Sequence, residues 1–198
     1  KWINEGIIKI DKKKDKSIFK KEESFLLLDK NKKPGFDLEK DLYDMIFEAS
    51  GDGVLEAKEF KSWAKTNYRK VYNWFTRVLD YQTMKFKEEG KLKELSFKKC
   101  EVTGGILEEA KQLAGLKKFL KDFSKIHERK SKEVHLWKEY LMYAQMLGIA
   151  EKVAKELKEM YPDIVTDDYI NDYLFINYVS FTGINSASSA KSSAESYN

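Results

Sequence analysis

The pattern with the clearest chemical suggestion covers residues 48–60 and imitates the calcium-binding loop of an EF-hand. It places Gly53 at the sixth position and Glu59 at the twelfth, where such a loop needs a sharp turn and a bidentate carboxylate. The first and third ligand positions hold Glu48 and Ser50 instead of aspartates, and the sequence has no second loop to pair with this one. A polar turn between two elements is the favoured interpretation, and calcium binding through a single degenerate loop is an alternative.

A group of lysines between the first two predicted strands is the best candidate for contact with an anionic partner. The six are Lys12, Lys13, Lys14, Lys16, Lys20 and Lys21. Beside a membrane they could contact lipid headgroups, at about 1 kcal/mol for each lysine, and as a wing they could contact nucleic-acid phosphates. No arginine or base-reading Asn/Gln cluster accompanies them, so lipid contact ranks above nucleic acid. The same stretch holds four acids, Asp11, Asp15, Glu22 and Glu23. A solvated connection of partly balanced charge is therefore the simplest interpretation.

The residues that could catalyse a reaction or hold a metal are scattered along the chain. His127 and His135 fall on either side of a predicted helix break, and Cys100 lies in a lysine-rich stretch without a neighbouring histidine. A metal site needs three or four converging ligands, and a cysteine nucleophile needs a histidine partner. The adjacent carboxylates of Glu108 and Glu109 diverge if that segment is a helix. We therefore predict no catalytic residue, cofactor, metal or small-molecule substrate.

The composition is that of a folded protein. The 198 residues are 42% hydrophobic and 35% charged, and the net charge is only +4, which argues against a dedicated nucleic-acid binder. The single cysteine fits a reducing compartment.

No run of about 18 apolar residues is present, so we expect no segment that crosses a bilayer. The sequence opens abruptly at Lys1 and Trp2 without a signal peptide, and we expect it to be part of a longer protein.

The N-terminal half has the pattern of hairpins and short helices. Short apolar runs predict two strands, at 7–10 and 25–28, and Asp37 is the expected N-cap of a helix. A turn, a short strand at 54–55 and two further helices follow, which is the element order of a winged-helix domain. We predict a partial winged-helix-like hairpin unit at 1–36 and a winged-helix-like unit at 37–89.

The C-terminal half is predicted to be an antiparallel helical bundle at 107–182, joined by a polar linker at 90–106 and followed by a Ser-rich tail at 183–198. Apolar residues recur at steps of three and four in three segments. They are Leu113, Leu116, Phe119, Leu120 and Phe123, then Val134, Trp137, Leu141 and Ala144, and then Ile149, Val153, Leu157 and Met160. The fold class is therefore mainly α with small β-hairpins (α+β).

The boundaries of these helices follow from a few residues. Ser131 is the expected N-cap of the second helix, and Pro162 prevents the third helix from continuing. Gly148 interrupts the second helix, either as a C′ residue or as a point of close contact. The spacing of aromatic residues over 167–181 fits a helix or an extended segment equally well.

Four stretches of the C-terminal half occur in a long, ordered pattern: LKKFLKDFS at 116–124, the pair Glu128-Arg129, LWKEYLMYAQMLGIAEKVAKELK at 136–158 and Tyr161-Pro162. With this pattern the chain resembles a known family, the YciQ-like predicted bacterial membrane proteins of unknown function. The segment EGIIKI at 5–10 is similar to the start of the family's first hairpin.

The resemblance implies a parent with a signal sequence, an extracytoplasmic domain, transmembrane helices and the present regions in the cytoplasm. In the family, transmembrane helices commonly stand between the winged-helix-like part and the bundle, where this chain has only residues 90–106. Either the parent lacks them or the present sequence leaves them out. The family has no established activity.

We therefore expect a non-catalytic, cytoplasmic interaction or scaffold module of a bacterial membrane protein. Its expected partners are other proteins or its own membrane-embedded parts, with an anionic membrane surface as a further contact. Nucleic-acid binding by a winged helix is an alternative with less support, and the single EF-hand-like loop is another.

Overall fold

The computed structural model describes residues 1–14, 22–96, 99–122, 136–163 and 165–196. Contacts divide the chain into two compact units, Lys1–Asp80 with Tyr178–Asn198, and Tyr81–Asn177. The described residues are mostly helical, with one three-stranded and one two-stranded antiparallel sheet. This confirms the predicted α+β class.

The elements of the first unit are β1 (Ile8–Lys14), β2 (Glu22–Leu28), α1 (Asp37–Ser50), β3 (Val54–Leu55), α2 (Ala57–Thr66) and the greater part of α3 (Tyr68–Glu88). The second unit holds β4 (Leu92–Ser96), β5 (Lys99–Val102), α4 (Gly104–Lys121), α5 (Trp137–Met146) and α6 (Ala150–Met160). The long helix α7 (Asp167–Glu195) contributes residues to both units.

The three-stranded sheet connects two segments that the sequence assigned to separate winged-helix-like units. Strand β2 pairs with β1 on one side and with β3 on the other, with Leu26 opposite both Ile10 and Leu55. Leu26 and Leu55 are paired across the strands, so their side chains lie on the same face of the sheet, and both are buried. The hairpin and the segment that contains β3 are therefore joined in one sheet. The winged-helix likeness of this unit stays a prediction.

Helix α1 differs from the prediction in its first residue, and it buries a tyrosine. The N-cap position belongs to Phe36, so Asp37 lies in the first turn, where its negative charge interacts favourably with the helix dipole. Leu38 is buried, and so is Tyr43, with 1% of its surface exposed. The Tyr43 hydroxyl donates to the backbone oxygen of Asp29 at 2.7 Å, which explains how a polar tip is tolerated there.

The predicted Ser-rich tail is corrected by the structure, because residues 183–195 continue helix α7. Small side chains explain the packing: an added Cβ on Gly183 would lie only 2.2 Å from Cε1 of Phe60 on α2. Ala187 is buried in a cluster with Ala64 and Val71. The small side chains of this low-complexity segment thus allow close contact between helices.

The predicted linker at 90–106 is also corrected. Strands β4 and β5 form a hairpin in which Leu92 lies opposite Val102, and α4 begins at Gly104. Gly148 is confirmed as a C′ residue with φ 69°, since its N–H and that of Ile149 donate to the oxygens of Gln145 and Ala144 in a Schellman motif.

Candidate functional site

The hairpin lysines lie on strand β1 as far as the structure describes them. Lys12, Lys13 and Lys14 belong to β1, so their placement in the connection between strands was wrong. The backbone register sets Lys13 opposite Glu23 and Lys14 opposite Glu22, and the opposite charges of Lys13 and Glu23 favour the pairing of the two strands. The other three predicted residues, Lys16, Lys20 and Lys21, lie outside the described residues.

The acidic residues of the EF-hand-like segment each serve a different contact within the chain. Both carboxylate oxygens of Glu48 accept hydrogen bonds from Lys70 at 2.8 Å. Asp52 accepts from the backbone N–H of Val54 at 2.8 Å. Glu59 accepts from the N–H of Glu56 at 2.8 Å and so forms the capping box that begins α2. The oxygens do not converge, and no cluster of three metal-binding side chains exists among the described residues.

The carboxylates of Glu108 and Glu109, which the sequence also singled out, do not share a site. The adjacent carboxylates diverge as predicted: Glu108 pairs with Lys111 at 2.8 Å and Glu109 with Lys91 at 2.9 Å. Cys100 lies on β5. His127 and His135 lie outside the described residues, as do the predicted cap Ser131 and core residue Phe123.

The second unit is built around a helical core that fixes α5. Leu120, Leu141, Val153 and Leu157 are each exposed by 1% or less. Trp137 at the start of α5 packs edge-on against Tyr169 of α7, with ring centroids 4.5 Å apart. The buried positions predicted on α5 and α6 are confirmed where the structure describes them, as is Leu120 on α4. Leu113 was predicted on the buried side of α4, and this was wrong, because 44% of its surface is exposed.

One buried hydrogen bond joins α7 to the middle of α5. The hydroxyl of Tyr173 donates to the backbone oxygen of Leu141 at 2.5 Å. Burial raises the pKa of Tyr173 above its usual value, and ionisation of Tyr169 at high pH would raise that pKa further. Burial also raises the pKa of Tyr169. Both phenols therefore stay protonated in the folded unit throughout the neutral range.

The opposite side of α5 carries large apolar residues that are exposed. Met142, Tyr143 and Met146 expose 56%, 41% and 78% of their surface, and we call these three residues the α5 surface. Steps of three and four residues place them on one side of the helix. Exposed methionines are typical of surfaces that bind other proteins, because the flexible side chain adapts to different partners.

Sequence reasoning attributed the aromatic residues of this region mostly to the core, with some left for a partner groove. The available signal was that seven of the ten residues of α5, WKEYLMYAQM, are apolar or aromatic, more than one buried side of a short helix needs.

The comparison with known proteins bears on the part of the chain that carries this surface. Residues 101–157 match the family described as "Predicted membrane protein (DUF2207) C-terminal domain". The match begins in β5, ends in α6 and includes all of α4 and α5. Nothing matched among the curated proteins or the solved structures. The chain is thus similar, over less than a third of its length, to a domain of predicted membrane proteins of unknown function, while the YciQ-like name and the cytoplasmic side stay predictions.

Within the described residues, none of the helices combines the length and the apolar character that crossing a bilayer demands.

Proposed function

We propose that this chain is a non-catalytic interaction module of a membrane protein and that it works on the cytoplasmic side. Its partner is another protein or a membrane-embedded part of its own parent. The α5 surface is the observation that supports this proposal, together with the similarity of residues 101–157 to a domain of predicted membrane proteins.

The α5 surface suits docking because its helix is fixed by buried residues while the surface residues themselves are exposed. Leu141 and Ala144, on the opposite side of the helix, are fully buried, so α5 is fixed to the core. Burying a large apolar side chain is worth about 1.5–3 kcal/mol. The three surface residues could therefore supply a large part of the free energy of a moderate-affinity contact.

Methionine oxidation provides the test, because exposed thioethers react with hydrogen peroxide and buried ones react slowly. In the isolated chain, Met142, Met146 and the control Met84 on α3 should all oxidise readily, since each is at least 50% exposed. In the full-length parent in its native membrane, Met142 and Met146 should be protected while Met84 stays reactive. Equal oxidation of all three in the parent would contradict the proposal.

The hairpin lysines belong to the same proposal as a weaker contact with an anionic membrane surface. One of them, Lys13, is registered opposite Glu23 in the hairpin, which reduces the positive charge available to lipid. Sedimentation with anionic vesicles should show a small loss of binding when all six are changed to glutamine. Unchanged binding would remove this part of the proposal.

A further inference from the structure

Helix α4 projects beyond the core of its unit. Leu107 and Leu113 expose 54% and 44% of their surface, and the residues between Gly104 and Gly115 are exposed almost without interruption. Packing against the described core begins only at Leu116. The leucines of the first three turns therefore contribute little to the packing of the unit, although Glu109 on these turns pairs with Lys91.

One face of α4 contains only aliphatic side chains and lysines. At 100° for each residue, nine positions between 106 and 121 fall within an arc of about 160°. They are Ile106, Leu107, Ala110, Lys111, Leu113, Ala114, Lys117, Lys118 and Lys121. We call this the α4 face. The acidic residues Glu108 and Glu109 lie outside the arc.

The lysines at the C-terminal end of the α4 face have no ion-pair partner among the described residues. Lys111 is paired with Glu108, but Lys117, Lys118 and Lys121 form no such pair. A helix with leucines beside lysines on one face suits the interface of an anionic bilayer, where apolar groups enter the headgroup region and ammonium groups extend to phosphate. An acidic protein would match the charge, but the small alanines offer little for side-chain packing.

We propose that the α4 face lies on an anionic lipid surface. The proposal rests on the proposed function to the extent that the module works beside a membrane, and it adds a contact separate from the α5 surface. Leu107 and Leu113 enter the headgroup region, and Lys117, Lys118 and Lys121 bind acidic headgroups. Each lysine contributes about fivefold to partitioning.

Vesicle sedimentation of the whole 198-residue chain tests the proposal. With vesicles containing phosphatidylserine, changing Lys117, Lys118 and Lys121 to glutamine should weaken binding by about 100-fold. A matched control removes the same charge elsewhere, at Lys61, Lys65 and Lys155, all of which are exposed. The control should bind almost as well as the unaltered chain. Equal loss in both variants, or no binding of the unaltered chain, would overturn the proposal.

A probe in the helix tests the orientation independently of charge. An environment-sensitive fluorophore attached to L107C, in a C100S background, should show a blue shift with phosphatidylserine vesicles and none with phosphatidylcholine alone. The same probe at Q112C, which is exposed on the other side of α4, should not respond. Equal shifts at both positions, or a response to an acidic peptide with none to vesicles, would also overturn the proposal. Oxidation of Met142 and Met146 in the parent is measured separately, so failure of one proposal is distinguishable from failure of the other.

Discussion

Changing Tyr173 to phenylalanine removes one buried hydroxyl and leaves the ring in place. The lost bond is the 2.5 Å contact to the backbone oxygen of Leu141. Because Leu141 lies in the middle of α5, its oxygen keeps the helical bond from the N–H four residues later. The oxygen is therefore not left without a partner, and we expect the net cost of one ordinary hydrogen bond, about 1 kcal/mol, in the free energy of unfolding.

Urea unfolding followed by circular dichroism measures this effect. Y173F should unfold at lower urea concentration with an unchanged m-value, because the surface exposed on unfolding is nearly the same. Tyr178 on the same helix provides the control: it is 58% exposed, so Y178F should change stability by less than about 0.5 kcal/mol. If Y173F is no less stable than Y178F, the hydroxyl does not hold α7 to α5 as described.

The pH dependence of the same pair provides a second check. Burial raises the pKa of Tyr173 in the folded state, whereas an unfolded tyrosine titrates near about 10. Above that pH the unfolded state binds fewer protons than the folded state, so the free energy of unfolding falls as pH rises. Phenylalanine has no ionisable group, so Y173F lacks this pH-dependent part of the free energy of unfolding. The stability difference between the unaltered chain and Y173F should therefore be full at neutral pH and should shrink above pH about 10.

Two further comparisons test the packing, and each has a matched control. G183A should destabilise the chain by about 1–3 kcal/mol because the new Cβ meets the ring of Phe60, whereas G115A, in open space on α4, should stabilise it by about 0.5–1 kcal/mol. Equal effects of the two changes in thermal unfolding would contradict the described contact. L141A should cost about 2–5 kcal/mol and M142A less than about 0.5, since the first side chain is fully buried and the second is 56% exposed. A large loss in M142A would mean that the α5 surface is core.

Residue spacing predicted the buried sides of α5 and α6, because helical periodicity depends only on neighbouring residues. Leu141 and Leu157 are buried as that spacing required. The C′ role of Gly148 was also predictable, since a glycine there permits the positive φ that ends the helix. Tyr43 was missed because its burial depends on the carbonyl of Asp29, which only the folded chain brings within reach.

The helix at 183–195 and the hairpin at 92–102 could not be recognised from composition. Serine and alanine are typical of linkers, but a helix that packs close to Phe60 needs small side chains in the same way. The β4–β5 hairpin has a short, polar sequence whose strands are defined by their mutual pairing rather than by an apolar pattern. In the candidate site, spacing could separate the two sides of α5, but which side would remain exposed depends on the other helices.

The α5 surface is the feature on which the proposed function depends, and site-specific photo-crosslinking tests it most directly. Benzoylphenylalanine in place of Met146, in the full-length parent in membranes, should form an adduct with a polypeptide that mass spectrometry can place. The same group in place of Lys155, which is exposed on α6, should form none. Equal adduct yields at the two positions, or none at either, would contradict the proposal that the α5 surface binds a partner.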